Sequence, residues 1–172
     1  METERLILRP PVADDLDAFA KMRSDSETLK YIPIDPSTRG QSWGGLMRSA
    51  GCWALTGYGQ WMVLDKSSDK FLGHVGFLDA MRDLGPDFDA HREVGWVFTL
   101  EASGKGFATK AMLAALGWMD GKAFGNNTVC IISADHSASM RVAQKCGYTL
   151  LRKAKDEHGD IVLMTRNNTA AT

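Results

Sequence analysis

The chain has 172 residues, 44% of them hydrophobic, and a net charge of −1 from 20 basic and 21 acidic side chains, enough for one domain with its own core, set at 1–166 with a frayed tail at 167–172. The scattered Lys and Arg exclude a basic footprint for nucleic acid, and the uncharged run 49–64 is too short and glycine-rich to cross a membrane. Cys52, Cys130 and Cys146 cannot all pair with one another and show no metal-ligand spacing with the four histidines; with a start, Met1-Glu2-Thr3-Glu4-Arg5, unlike a signal peptide, they read as reduced thiols of a cytoplasmic protein without a metal.

In chain order, Thr3–Arg9 alternates with Leu6 and Leu8 on one face and is closed by Pro10-Pro11, the pattern of a strand. Asp14-Asp15 offers an N-cap to a helix running to about Arg23, with Leu16, Phe19, Ala20 and Met22 as its apolar stripe. After a turn at Tyr31–Pro36, Ser37–Leu55 has helical spacing at Trp43, Leu46, Met47 and Ala50, with glycines that suit either a mobile pocket wall or an ordinary surface helix. Gln60–Asp65 and Phe71–Asp79 form a hairpin about a polar turn, and a charged loop over Met81–Ala90 follows.

Glu93–Leu100 then places Val94, Trp96, Phe98 and Leu100 on one strand face, and beyond a glycine turn Phe107, Ala111, Met112, Ala115, Leu116 and Met119 fall on one helix face. Thr128–Ser133 is a strand, and Ser137–Cys146 a helix capped by Ser137 and stopped by Gly147. Tyr148–Ala154 and Asp160–Arg166 make a last hairpin. The crossover helix makes the strands on either side of it parallel. The expectation is an α+β fold: a single mixed, mostly antiparallel sheet with one parallel pair at the centre and helices on both faces.

Gly104 and Gly106 fall at the start of the crossover helix, where unpaired N–H groups and the helix dipole favour a phosphate and the missing Cβ lets it approach. Thr109 occupies the third small position that a dinucleotide fingerprint needs, and Thr99 and Gly106 break the spacing of a mononucleotide P-loop. Gly106-x-Ala108 behind a strand resembles the pyrophosphate arm of the GNAT acetyltransferases. The element order resembles that fold as well. Ser139, Arg141, Val142, Lys145, Gly147 and Tyr148 are similar to the second signature of the RimJ/RimL-like branch, and Glu93-Val94-Gly95-Trp96 to its Glu-apolar-Gly-aromatic strand. The chain departs from that branch at Ser103, Lys110 and His136, where Gln, Arg or an aromatic, Glu, and Asn are usual.

The resemblance implies an N-acetyltransferase that takes acetyl-coenzyme A as co-substrate and a primary amine, a protein N-terminus or a small molecule, as acceptor. A dimer is common for this fold. It implies that Ser103, Gly104, Lys105, Gly106, Phe107, Ala108 and Thr109 hold the diphosphate, with Lys110 a further attractor. The pantetheine is then expected between the splayed parallel strands along Trp96, Val97, Phe98 and Thr99, with an amide near Val97 or Phe98 polarising the thioester carbonyl and Gly95 marking either the bulge or close approach that opens the splay or only a glycine beneath Trp96. His136 and Ser139 would flank the coenzyme. Ser139 is the first candidate to protonate the leaving thiolate or to order a water, and Tyr148, otherwise a core residue, is the second. Glu93, Asp135 and His136 can accept a proton, Glu93 otherwise being a solvated strand residue. The acceptor pocket falls to 31–58 and the 81–91 loop. The departures at Lys110 and His136 also admit a regulatory module that binds the coenzyme without efficient turnover.

Overall fold

The computed structural model describes residues 1–32, 34–122 and 127–167. Among them β1 (Leu6–Arg9), β2 (Gln60–Asp65), β3 (Phe71–Leu78), β4 (Arg92–Phe98), β5 (Asn127–Ser133), β6 (Thr149–Asp156) and β7 (Gly159–Asn167) form one mixed sheet in the order β1-β2-β3-β4-β5-β7-β6. Only β4 and β5 pair in parallel. The α+β sheet with a central parallel pair is therefore present. Asn167 still belongs to β7, one residue beyond the expected boundary, and the tail from 168 on lies outside the described residues.

The helices are α1 (Leu16–Ser24), α2 (Ser26–Leu29), α3 (Arg39–Thr56), α4 (Pro86–Asp89), α5 (Phe107–Asp120) and α6 (Ser137–Lys145). On one sheet face α5 buries all six residues of its expected stripe, from Phe107 to Met119, against a cluster that includes Leu6, Leu8, Val75, Phe77 and Val94. Burying a large apolar side chain contributes roughly 1.5–3 kcal/mol, so this face anchors the helix that follows β4. On the other face Phe19 and Met22 of α1, Leu46 of α3 and Met62 of β2 form a second cluster, joined by Val97 of β4.

Several elements differ from the sequence reading. Helix α3 starts at Arg39, capped by a reciprocal pair in which Thr38 Oγ1 accepts from Gln41 N and Gln41 Oε1 accepts from Thr38 N. It turns Ser42, Leu46 and Ser49 inward and leaves Trp43 40% and Met47 55% exposed, a stripe rotated from the apolar one. Gly45 faces the Phe19 ring, where a Cβ would stand at 3.5 Å, an ordinary contact. The 81–90 loop contains the short helix α4, built around the buried Phe88. Strand β4 ends at Phe98, so Leu100 lies in a 3-10 turn and is 52% exposed instead of sharing the buried face. On the β3 side Gly95 forms no bulge, since β3 and β4 pair in continuous register from Glu93 to Phe98, and the parallel pairing with β5 ends two residues before it at Glu93. The helix α6 begins at Ser137, but His136 occupies the cap position, and no side-chain capping bond forms.

Candidate active site

The parallel partners β4 and β5 are in register only at Arg92↔Thr128 and Glu93↔Val129, although β4 continues to Phe98 and β5 to Ser133. Beyond Glu93 the two strands separate, and one edge of β4 is left unpaired. Which groups face that gap follows from the other edge. Thr99 N donates to Leu72 O on the β3 side at 2.9 Å. A Cβ on Gly73 would meet Val97 O at 2.2 Å, so Val97 also turns its polar groups towards β3. Because hydrogen-bonding edges alternate along a strand, Trp96 and Phe98 turn their N–H and C=O into the gap. Of the two amides expected to polarise a thioester, Phe98 has the required direction and Val97 does not.

At the open end of β4, the chain reverses through Gly104 and Gly106 with φ of +74° and +77°, a left-handed backbone that costs a side chain about 1–2 kcal/mol. Gly106 is the N-cap of α5. The first amide of this turn that finds a main-chain acceptor is Lys110 N, bonded to Gly106 O at 3.1 Å. Among the described residues the amides of 104–109 have none. A Cβ on Gly104 would meet nothing within 4 Å, so the turn is not covered by other side chains. A positive helix end, six N–H groups without main-chain acceptors among the described residues and open space are the features that an anion cradle needs.

The side chains of the cradle divide into engaged and free. Ser103 Oγ donates to Thr99 O at 3.3 Å. Arg5 Nη2 donates to Lys105 O at 3.1 Å and its guanidinium covers the Phe107 ring at 4.8 Å, which ties the turn to the start of the chain. Lys110 Nζ pairs with Glu4 at 2.8 Å, an exposed contact that competes with its expected role as a phosphate attractor. Lys105 is exposed, and its ammonium has no ion-pair partner among the described residues.

At the open end of β5 stand His136 and Ser139. The His136 ring stacks on Tyr31 at 4.6 Å and 20°, bridging the loop after α2 to the start of α6. Its Nδ1 is buried without a partner among the described residues, and burial holds its pKa below the usual imidazole value. Ser139, in the first turn of α6, is half-buried, and no hydrogen bond of its hydroxyl is formed among the described residues.

Tyr148 and Glu93 belong to the closed end instead. Tyr148 is 2% exposed, and its hydroxyl shares a hydrogen bond with Thr128 Oγ1 at 2.6 Å, beside the Arg92↔Thr128 pair. Burial pushes its pKa well above the usual phenol value. Glu93 is 7% exposed and is gripped by Arg82 through Nε at 2.8 Å and Nη2 at 2.7 Å, which is not a solvated strand residue. That bond in turn holds the Arg82 guanidinium above its ordinary pKa. Periodicity could not reveal this partner, because Arg82 lies in a loop eleven residues away.

The description "Acetyltransferase (GNAT) domain" fits residues 5–149. An uncharacterized N-acetyltransferase, YnaD, from Bacillus subtilis (strain 168) is 27% identical over 146 residues, 84% of this chain and 79% of that protein. Among solved structures, a putative GnaT-family acetyltransferase from Bordetella pertussis superposes with a TM-score of 0.86 at 26% identity, covering 96% of this chain and 98% of that one. The spermidine N-acetyltransferase from Vibrio cholerae, solved with CoA and spermine, shares the fold at a TM-score of 0.78 and 15% identity, covering 97% and 98%. The family description spans most of the chain, the split parallel pair carries amides at its open end, and the chain belongs to the GNAT acetyltransferase family.

Proposed function

We propose that the protein, as a RimJ/RimL-like member of its family, transfers acetyl from acetyl-coenzyme A to a primary amine by direct attack within a ternary complex. The observation that carries this reading is the unpaired β4 edge ending in a cradle of free amides at 104–109. The cradle suits the coenzyme's diphosphate, with Ser103, Gly104, Lys105, Gly106, Phe107, Ala108 and Thr109 around it. From there the pantetheine amides extend along β4 as an added strand, pairing with the gap-facing groups of Phe98 and Trp96. Val97 supports that edge from the β3 side, Thr99 ends it, and His136 and Ser139 flank the tail from the β5 side.

In the reaction a neutral amine nitrogen forms a bond to the thioester carbon, and the carbonyl oxygen gathers negative charge. A main-chain amide of Trp96 or Phe98 stabilises that charge. The intermediate then breaks its C–S bond, the sulfur takes a proton, and the new amide nitrogen loses one to water. A thiol of pKa about 8.5 is a fair leaving group, so a hydroxyl suffices as donor, and we assign that role to Ser139. Tyr148 is poorly suited to it, since its hydroxyl is buried and engaged with Thr128. Glu93 is assigned to proton acceptance only through water, because Arg82 occupies both its oxygens.

An amine of pKa near 8 is roughly a tenth neutral at pH 7, whereas a lysine-type amine near 10.4 is neutral well below one part in a thousand. With no unpaired buried carboxylate among the candidates, a weakly basic amine is the favoured acceptor. Three free thiols, two of them buried, suit the reducing cytoplasm as the place of reaction. The test is a panel of amines assayed by released coenzyme A thiol. Saturable, amine-dependent release supports the reading, and binding of acetyl-coenzyme A without release on any amine refutes it.

A further inference from the structure

A cavity of about 460 Å³ opens between the C-terminal end of α1, the 34–37 segment and α3, lined in part by Arg23, Asp35, Ser37, Gln41 and Arg48. That volume falls in the range of small-molecule sites. Its two arginines are not balanced by carboxylates, a condition that Arg5 and Arg141 share singly at the surface among the described residues but that here brings two cations together. Arg9, Arg39, Arg82, Arg152 and Arg166 each pair with a carboxylate. Among the described residues Arg23 and Arg48 pair with none. Arg23 is half-buried, donates through Nη2 only to Ser37 Oγ at 3.2 Å, and leaves Nε buried without an acceptor. Burial, and then the like charge of Arg48, pull the Arg23 pKa down. Asp35 is exposed and reaches neither guanidinium.

Two cations that repel each other, one of them partly desolvated, lower the stability of the free protein unless an anion joins them. Under α1 and α3, Ser42 Oγ and both ring nitrogens of the 5%-exposed His74 also lack partners among the described residues.

The cavity and β4 share neighbours on one face of the sheet. The Arg23 guanidinium lies 6.0 Å from the Phe19 ring centroid, Phe19 lies 5.6 Å from the His74 ring, and His74 is in register with Val97 of β4. The 34–37 segment in turn continues from Tyr31, which stacks on His136 at the open end of β5.

We infer that this cavity is the acceptor subsite for an anionic group: the amine acceptor is a small molecule that also carries a carboxylate, phosphate or phosphonate, held by Arg23 and Arg48. The inference rests on the acetyl-transfer reading above. A polyamine such as the spermine bound by the Vibrio cholerae relative meets two positive charges here and is rejected, whereas an acidic amine is attracted and oriented with its amino group towards β4.

The test compares kcat/KM, by thiol release, for acceptors carrying a carboxylate or a phosphonate with that for matched alkylamines lacking the acid and with spermine, in the full chain and in Arg48→Gln and Arg23→Gln. Losing one charge-assisted contact corresponds to a preference falling about tenfold or more. The expected result is that the parent prefers the acidic amines and that each substitution lowers the acid-to-neutral ratio by about that factor. Arg48 is exposed, so its variant keeps the comparison valid if Arg23→Gln folds poorly. The relative strength of the two acids distinguishes a carboxylate acceptor from a phosphorylated one.

A second measurement separates the two readings. With the coenzyme site saturated by coenzyme A, methylphosphonate and acetate are titrated calorimetrically. Binding by the parent that is lost in both variants supports the subsite even if no amine is acetylated. Equal kcat/KM for acidic and neutral amines, a preference for spermine, or a ratio that both substitutions leave unchanged would overturn the subsite while leaving acetyl transfer intact.

Discussion

Replacing Gly106 by Trp separates coenzyme binding from folding. Gly106 has φ +77° at the cap of α5, so any side chain there costs about 1–2 kcal/mol of backbone strain. A first side-chain carbon meets only Arg5 Nη2, at 3.8 Å, an ordinary contact, so the smaller Gly106→Ala variant should lose little beyond that strain. An indole at this place projects over the free amides of 104–109. Two charge-assisted hydrogen bonds to a phosphate, each about 1.5–3 kcal/mol, sum to roughly 3–6 kcal/mol. At 1.4 kcal/mol per tenfold, the acetyl-coenzyme A Kd should rise by more than about a hundredfold. Calorimetric titration gives Kd, and urea unfolding gives the stability loss. A folded Gly106→Trp protein that binds the coenzyme as tightly as the parent would refute the cradle.

Three further outcomes are expected. Ser139→Ala should lower kcat about tenfold, since a thiolate needs only modest acid help, while the coenzyme Kd changes little; full activity would remove Ser139 from the chemistry. Tyr148→Phe leaves Thr128 Oγ1 buried without its partner and should cost about 1–3 kcal/mol in urea unfolding with turnover preserved, so a tenfold loss of kcat at unchanged stability would restore the phenol to the mechanism. For His74, burial and then the charge of Arg23 depress the pKa from 6.5 to about 3. Between those values the unfolded chain binds the extra proton, so stability falls as pH drops through that window, by up to about 1.4 kcal/mol per pH unit. His74→Leu should flatten that slope between pH 6 and 4, and identical slopes in the two proteins would contradict the assignment.

What could be read from the sequence was whatever a repeating pattern writes into neighbouring residues. The six-residue stripe of α5 and the alternation of Leu6 and Leu8 are local and periodic, and each is buried as expected. The same logic misplaced the inner face of α3, because it weighs apolar side chains and the structure buries Ser42 and Ser49 beside Leu46. Helix α4 was invisible for a related reason: four residues around one buried Phe88 are too short to carry a period. The glycine turn stood out because positive φ restricts residue choice. The Arg82–Glu93 pair, the His136–Tyr31 stack and the meeting of Arg23 with Arg48 had no local signal, since each depends on segments that only the fold brings together.

The central claim is that free amides at the start of α5 and the open edge of β4 are the coenzyme's grip. Hydrogen exchange with and without acetyl-coenzyme A tests it most directly. At a coenzyme concentration about a hundred times Kd, exchange at 104–109, Trp96 and Phe98 should slow by about a hundredfold, with Val97, already turned towards β3, little changed. Protection that falls elsewhere while these amides exchange as before would contradict it.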